Sequence, residues 1–212
     1  MDADIDLASD TQFAPIGNKT ATFEGNLNGR NHTISNLSIS YADTDYAGLF
    51  GYIGENASVS HLSLTVARLE GTGKYYGAIA GRNDGAIEDC HVSGTIATQG
   101  AYTGGIAGIS SGSLYSSSFT GNISGYGYVG GLAGDFSGTM DHCSVTANVV
   151  VTGSIDDATD GGGLAGRAIS WSKKECVITD SYFCGTLSDK SGKASLGGIA
   201  PVLWSARVER CF

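Results

Sequence analysis

The amino-acid sequence predicts an all-β fold, a right-handed parallel β-helix in which one repeat of 26–35 residues forms each coil. Three observations lead to this prediction. A glycine-rich phrase recurs six times along the chain, a column of alternating apolar residues follows each copy, and no segment keeps the apolar spacing of a helix.

The N-terminal segment, residues 1–46, precedes the first phrase, and we expect it to form the first coil and cap of the stack. Residues 47–212 contain the repeats, so one continuous domain is predicted. The first six residues have neither the basic nor the apolar region of a secretory signal. Because the last repeat stops midway through its pattern at Phe212, we expect the domain to be excised from a longer chain.

The repeated phrase approximates Gly-Gly-(Leu/Ile)-Ala-Gly, and its copies occupy residues 47–51, 77–81, 104–108, 130–134, 162–166 and 197–201. Periods of this length are typical of solenoids, in which each repeat buries its apolar face against its neighbours. The paired glycines indicate a corner that needs either a positive φ or a close approach of two backbone segments.

A second pattern follows each phrase, as in Ile87-x-x-Cys90-x-Val92. Its copies begin at Ile34, Val59, Ile87, Leu114, Met140, Ile178 and Val208. Alternating apolar residues between glycine turns predict short strands. Matching strands favour a β-helix over a sandwich, because each strand then lies on its own copy about 4.8 Å away. The right hand follows from the preference of parallel crossovers.

Two later repeats are longer than the others, between residues 149 and 162 and between residues 167 and 176. A solenoid accepts insertions at its corners, so both segments are predicted to be projecting loops. The second loop carries Trp171, Lys173 and Lys174, and an aromatic ring beside two cations would suit a sugar or an acidic partner. The alternative is that Trp171 covers the edge of the core.

Three tyrosines, Tyr75, Tyr102 and Tyr128, each lie six residues before the closing glycine of their phrases. Stacked coils would bring them into one ladder. Facing outward, the ladder could stack on sugar rings, whereas facing inward or at a corner it would serve packing. We therefore take these tyrosines, with the three loop residues, as the candidate ligand-binding residues.

The cysteines suggest packing more than chemistry. Cys90, Cys143 and Cys211 occupy one column in alternate coils, about 9.6 Å apart, which is too far for disulfides. They are predicted to be free and buried. Cys176 and Cys184 flank one strand, and the sequence leaves open whether they form a disulfide.

No metal or cofactor is predicted. His91 and His142 lie beside inward-facing cysteines and should point outward, because neighbouring residues of a strand face opposite sides. The aspartates at positions 156, 157 and 160 could bind calcium, but we expect a solvated acidic loop.

The charge and composition exclude several classes of partner. The chain has a formal net charge of −9 and a pI near 4.7, which argues against nucleic acid and anionic membrane surfaces. It has no apolar run near 18 residues, so no insertion of this segment into a membrane is expected.

The repeated phrase and the column after it resemble the GLUG-motif repeats of bacterial surface proteins, over roughly residues 13 to 212. Such repeats occur in secreted adhesins and in the non-catalytic parts of immunoglobulin-A-type metallopeptidases. Those peptidases carry a His-Glu-x-x-His zinc helix, which this sequence lacks, so the resemblance does not imply peptidase activity.

The sequence therefore predicts a non-catalytic β-solenoid segment of a bacterial cell-surface protein, located outside the cell and serving adhesion or as a stalk. A host glycan or a surface protein is the expected partner. Two alternatives stay open: an accessory domain of a large secreted peptidase, and a polysaccharide-active β-helix.

Overall fold

The computed structural model describes residues 1–10, 12–40, 45–155, 159–170 and 175–212. In these ranges the regular structure is entirely β-strand, arranged as a parallel β-solenoid of about seven turns with about 28 residues per turn. The predicted fold class, an all-β solenoid with one repeat per coil, is confirmed.

The chain forms 23 strands in the described ranges. In order they are β1 (Ile5–Asp6), β2 (Asn26–Ile39), β3 (Tyr46–Ala47), β4 (Phe50–Ile53), β5 (Ser58–Leu69), β6 (Tyr75–Gly77), β7 (Ala80–Asn83), β8 (Ala86–Ala97), β9 (Tyr102–Gly104), β10 (Ala107–Ser110), β11 (Ser113–Tyr115), β12 (Ser118–Tyr126), β13 (Tyr128–Gly130), β14 (Ala133–Phe136), β15 (Thr139–Asp141), β16 (Ser144–Gly153), β17 (Asp160–Gly162), β18 (Ala165–Ile169), β19 (Cys176–Thr179), β20 (Tyr182–Asp189), β21 (Ser195–Gly197), β22 (Leu203–Trp204) and β23 (Ala206–Glu209).

These strands build three parallel sheets that run along the solenoid. The long sheet contains β1, β2, β5, β8, β11, β12, β15, β16, β19, β20 and β23. The second sheet contains β4, β7, β10, β14, β18 and β22, and the third sheet contains β3, β6, β9, β13, β17 and β21. Each coil passes through the third, the second and then the long sheet, as in β9, β10, β11 and β12.

The interior is a set of apolar columns, because equivalent residues of successive coils pair directly. Ile87 pairs with Leu114, Leu114 with Met140, and Met140 with Ile178, and all four are fully buried. The apolar residue of the phrase, such as Ile106 in a middle coil, is also fully buried. Each such side chain contributes about 1.5–3 kcal/mol by leaving water, so the columns hold the coils together.

The closing glycine of the phrase lets the second and third sheets approach closely. A Cβ on Gly134 would lie 2.6 Å from the backbone nitrogen of Thr103 in the preceding coil, and one on Gly166 would lie 2.7 Å from that of Val129. Neither glycine has a positive φ. The same holds for the paired glycines, for which the sequence predicts either a positive φ or a close approach: neither Gly130 nor Gly131 has a positive φ, and a Cβ on Gly131 would lie 2.1 Å from the Gly163 carbonyl oxygen. Close backbone approach is therefore the reason that applies.

A corner within the long sheet is made by residues in the left-handed region, which non-glycine residues seldom occupy. In six successive coils the residue at this corner adopts a φ of 47–53°, namely His61, Asp89, Ser116, His142, Asp180 and Arg210. In the later coils this residue separates β11 from β12, β15 from β16 and β19 from β20. The repeat pattern in the sequence gives no prediction of this corner.

From the second of these coils onward, the residue after the corner residue is a cysteine or a serine, and its side chain contacts the backbone carbonyl two residues earlier. In the middle coils this position alternates between cysteine and serine. The Ser117 hydroxyl donates to the Tyr115 carbonyl (2.9 Å) and accepts the Cys90 amide (3.1 Å). The Cys143 thiol lies 3.4 Å from the Asp141 carbonyl in the same arrangement.

All five cysteines are free, so Cys176 and Cys184 form no disulfide. The prediction of buried thiols is confirmed for Cys90 and Cys143, while Cys211 in the last coil is half-buried. Burial raises the pKa of the Cys90 and Cys143 thiols to about 12.

Candidate functional site

Four tyrosines form a continuous ladder on the outer face of the third sheet. Tyr46, Tyr75, Tyr102 and Tyr128 each begin a strand, β3, β6, β9 and β13 respectively. Their ring centroids are 4.9, 5.1 and 5.2 Å apart, and successive rings are inclined by 21–25°. This stack, which we call the tyrosine ladder, continues the strand spacing at the surface.

Strand alternation places the ladder outside. The residue after each ladder tyrosine faces the core, and Tyr76, Thr103 and Val129 are fully buried at these positions. Successive side chains of each strand therefore face opposite sides, one toward the buried interior and the tyrosine toward the half-buried outer row.

A row of charged side chains on the second sheet lies against the ladder. The residue that follows the closing glycine is arginine in two coils, Arg82 and Arg167. The Arg167 guanidinium lies 4.0 Å from the Tyr128 ring centroid and 5.6 Å from that of Tyr102. It also donates to the Asp135 carboxylate at 2.6 Å. Arg167 is thus both a cation–π partner of the ladder and half of an ion pair.

The second arginine makes a similar arrangement nearer the N-terminus. Arg82 lies 4.9 Å from the Tyr52 ring centroid and pairs with Asp84 at 2.9 Å. Asp84 also accepts hydrogen bonds from the hydroxyls of Tyr52 and Ser111. We call Arg82, Asp84, Asp135 and Arg167 the ion-paired wall.

Burial shifts the pKa values of the groups along this face. Burial, assisted by the neighbouring Asp84 carboxylate, raises the pKa of Tyr52 to about 12. Burial also raises the pKa of Tyr128. Burial alone would raise the pKa of Asp84, but hydrogen bonds from Arg82, Ser111 and Tyr52 outweigh it and hold that pKa below its usual value. At neutral pH the phenols therefore keep their protons and the Asp84 carboxyl is ionised.

The geometry limits what the ladder can contact. Both faces of the Tyr102 ring are covered, by Tyr75 on one side and Tyr128 on the other, and Arg167 lies over Tyr128. A sugar ring therefore cannot stack on these faces. The three side chains are half-buried, and no described residue hydrogen-bonds the hydroxyls of Tyr75, Tyr102 or Tyr128.

The structure brings together only part of the predicted site. Tyr75, Tyr102 and Tyr128 form one row, as their shared position suggested. Trp171, Lys173 and Lys174 lie outside the described residues, as do the aspartates at 156 and 157. Asp160 follows Tyr128 in the ladder column, and burial raises the pKa of its carboxyl despite the nearby Arg167.

Tyr46 and the ion-paired wall were not predicted from the sequence. Tyr46 pairs with Tyr75, but it lies five residues, not six, before its closing glycine, because the stretch from Tyr46 to Phe50 is one residue shorter than the matching stretch from Tyr75 to Ala80. A signal for the arginines was present in the position after the closing glycine, where Arg82 and Arg167 recur.

One group of metal-ligating side chains occurs among the described residues, at the long-sheet corner. Ligand atoms of Asp141, His142 and Asp180 lie within 4.8 Å of one another. Thr179 and His142 already bond the Asp141 carboxylate at 2.6 and 2.8 Å, and Arg210 holds both oxygens of Asp180 at 2.6 Å. His91 and His142 are exposed, as predicted.

Comparison with known proteins gives two relatives in sequence. The chain is 42% identical over 82 residues to the "Putative Gly-rich membrane protein" of Evansella cellulosilytica, a match of 38% of this chain and 10% of that protein. It is 39% identical over 85 residues to halomucin of Haloquadratum walsbyi, a match of 40% of this chain and 1% of that protein. The chain therefore corresponds to a small part of each relative. Among the described residues, none forms an apolar helix of membrane-spanning length.

A solved structure has the same fold. The crystal structure of a "putative immunoglobulin A1 protease" from Bacteroides ovatus aligns with a TM-score of 0.75 at 21% identity, over 99% of this chain and 66% of that chain. In sequence, residues 72–97 match the family described as the GLUG motif. This segment spans β6, β7 and β8, which together make one coil. The predicted resemblance is confirmed: the chain carries a GLUG motif, and that motif is one coil of its parallel β-solenoid.

Proposed function

We propose that this chain is a non-catalytic segment of a bacterial cell-surface protein, where it acts as a rigid stalk that also presents an adhesive face. One sequence relative is named a membrane protein and another halomucin, which supports an extracellular or surface location. Because the chain matches a tenth or less of each, the proposal concerns this segment alone.

The observation that carries the proposal is that successive coils are joined on the outside as well as through the core. The tyrosine ladder links four coils by ring contacts, and the Arg167–Asp135 pair joins the coil of Tyr128 to the next one. About seven coils at about 4.8 Å each would give a rod about 34 Å long. Such a rod separates its two ends by a fixed distance, which suits a stalk.

Small-angle X-ray scattering tests the stalk role. We expect the profile of a stiff rod whose cross-section and length agree with the stack of coils. A profile that requires several unrelated conformations would contradict the proposal, because a flexible chain fixes no distance.

Retention under flow tests adhesion. The chain is displayed on a non-adherent bacterium, and the fraction of cells held on mucin-coated and epithelial surfaces is measured against a displayed β-helix of equal length and unrelated sequence. Greater retention than this control is expected. If cells that display the chain are retained no better than the control cells on either surface, the adhesive part of the proposal is wrong and only the stalk role remains.

Catalysis is the alternative to exclude by assay. Asp84 and Asp135, the carboxylates of the ion-paired wall, are each bound to an arginine, so they are not arranged as a free acid and base. We expect no new reducing ends from polysaccharides and no peptide fragments from immunoglobulin A. Turnover that purifies with the chain would favour a polysaccharide-active β-helix or a peptidase part instead.

A further inference from the structure

We propose that the hydroxyl row of Tyr75, Tyr102 and Tyr128 binds a neutral polysaccharide whose chain lies along the solenoid axis. The inference deepens the proposed adhesive role by naming a ligand class and the atoms that contact it. It replaces stacking on the ring faces, which the ladder itself covers, by hydrogen bonding at the ring edges.

The first step is the supply of unpaired hydrogen-bonding groups. Each phenol hydroxyl can donate once and accept, and those of Tyr75, Tyr102 and Tyr128 have no partner among the described residues. The rings are nearly parallel with centroids 5.1 and 5.2 Å apart, so the hydroxyls recur at a similar interval. Because burial raises the pKa of Tyr75 and Tyr128, these phenols stay protonated donors well above neutral pH.

The second step is rigidity. Each ring is fixed between its neighbours, and Arg167 closes the C-terminal end of the stack at 4.0 Å from Tyr128. The hydroxyls are therefore held in place before a ligand arrives, so binding costs little ordering of side chains. A sugar polymer offers hydroxyls at regular intervals and matches a row of this kind.

The third step is charge. Arg82 is paired with Asp84 and Arg167 with Asp135, so the wall beside the ladder presents no unpaired cation for an anionic glycan. Asp160 adds a carboxyl at the next position of the column. A polyanion would approach these carboxylates in a chain of net charge −9, whereas a neutral polymer meets no such repulsion.

The fourth step is length. One exposed hydroxyl contributes little affinity, because water competes for the same hydrogen bond. Once a polymer that spans three coils has bonded one hydroxyl, its other sugar units are held close to the remaining two hydroxyls. Their effective concentration is then high, so the second and third contacts form more readily than the first. We therefore expect monosaccharides to bind too weakly to detect, and affinity to rise with the number of sugar units up to the length of the row.

Affinity electrophoresis tests the inference. Native gels contain mannan, dextran or a soluble β-1,3-glucan as neutral polymers, or polygalacturonate as the anionic one. The test variant is Tyr75→Phe/Tyr102→Phe/Tyr128→Phe, which removes the hydroxyls and keeps the rings. The matched control is Tyr115→Phe, which removes an exposed phenol from the long sheet.

We expect at least one neutral polymer to retard the wild-type chain and the Tyr115→Phe variant equally. The triple variant should lose at least 10-fold in affinity while its thermal midpoint and far-ultraviolet circular dichroism stay unchanged. Equal retardation of the triple variant, retardation by polygalacturonate alone, or no retardation by any neutral polymer would each overturn the inference.

The two proposals fail separately. If the triple variant adheres under flow as well as the wild type, adhesion stands and the hydroxyl row is not its ligand site. If neutral polymers retard the wild-type chain and not the triple variant, but displaying cells are not retained, the hydroxyl row is a binding site and the proposed adhesive function is wrong.

Discussion

At the residue scale, the alternation of cysteine and serine after the corner has a simple chemical basis. Both Ser117 and Cys143 can donate to the carbonyl two residues earlier, and both are small enough for the crowded corner. The serine oxygen also accepts an amide from the coil before it, Cys90 in one case. The column therefore satisfies buried backbone groups, which are costly to leave unpaired.

Thiol accessibility tests this assignment. In native protein at pH 8, we expect rapid reaction with an aromatic disulfide reagent at Cys184 and slower reaction at Cys211, which is half-buried. Cys90, Cys143 and Cys176 should react only after unfolding, because they are buried and burial raises the pKa of each to about 12. Raising the pH to 9 should not expose them. Fast reaction of three or more native thiols would show that the column does not face the core.

At the element scale, the closing glycine fixes how the second and third sheets meet. The absence of a side chain at Gly134 lets the backbone of one coil rest on residues 102–103 of the coil before it. This contact aligns the second-sheet arginines with the tyrosine ladder. The geometry of the candidate site thus depends on glycines that contribute no functional atom.

Paired glycine substitutions test this dependence. Gly134→Ala should lower the free energy of unfolding by about 1–3 kcal/mol, because its Cβ would lie 2.6 Å from the Thr103 nitrogen and 2.7 Å from the Gly108 carbonyl. Gly198→Ala is the control, since a Cβ there meets nothing within 4 Å, and a change within about 0.5 kcal/mol is expected. Urea unfolding measures both. Equal effects would mean that the close approach does not determine stability.

The elements differ in how far the sequence predicts them. The phrase and the apolar column identify a parallel stack because their side chains recur at the same places in the coils from Val59 onward. The column copy predicted to begin at Ile34 is wrong, because Val59 pairs with Leu27 and Ile34 pairs with Leu64.

The corner was missed because its residues, such as His61, Asp89 and Ser116, share a backbone conformation and polarity but no single residue type. Tyr46 was missed because the stretch between it and the second sheet is one residue shorter than in the next coil, so its match to Tyr75 shows only in the strand pairing. The right hand of the coil stays a prediction.

At the scale of the whole molecule, stability comes from contacts between neighbouring coils. The long-sheet strands pair one coil with the next, from β1 at one end to β23 at the other. In such a stack each coil is supported mainly by the two beside it. A defect in a middle coil therefore acts on both halves of the molecule.

A buried charge in the middle of the stack tests this view. Ile106→Asp should lower the free energy of unfolding by about 4 kcal/mol or more, because the side chain is fully buried and the carboxylate would have no partner there. Thr120→Asp, on the exposed face of the same coil, should change it by about 0.5 kcal/mol or less. Hydrogen exchange should show faster opening on both sides of position 106. If the thermal midpoint of Ile106→Asp equals that of the wild type, the apolar residue of the phrase faces solvent and not the core.

The matching register also bears on how such proteins vary between genomes. Tyr75, Tyr102 and Tyr128 pair in sequence, 27 and 26 residues apart, so the coil between any two of them has equivalent edges above and below. An in-frame deletion of residues 102–127 would bring Tyr128 onto Tyr75, and a duplication would insert another rung. Unequal recombination between repeats can therefore shorten or lengthen the rod one coil at a time. The length of the rod changes, while the contacts between neighbouring coils stay of the same kind.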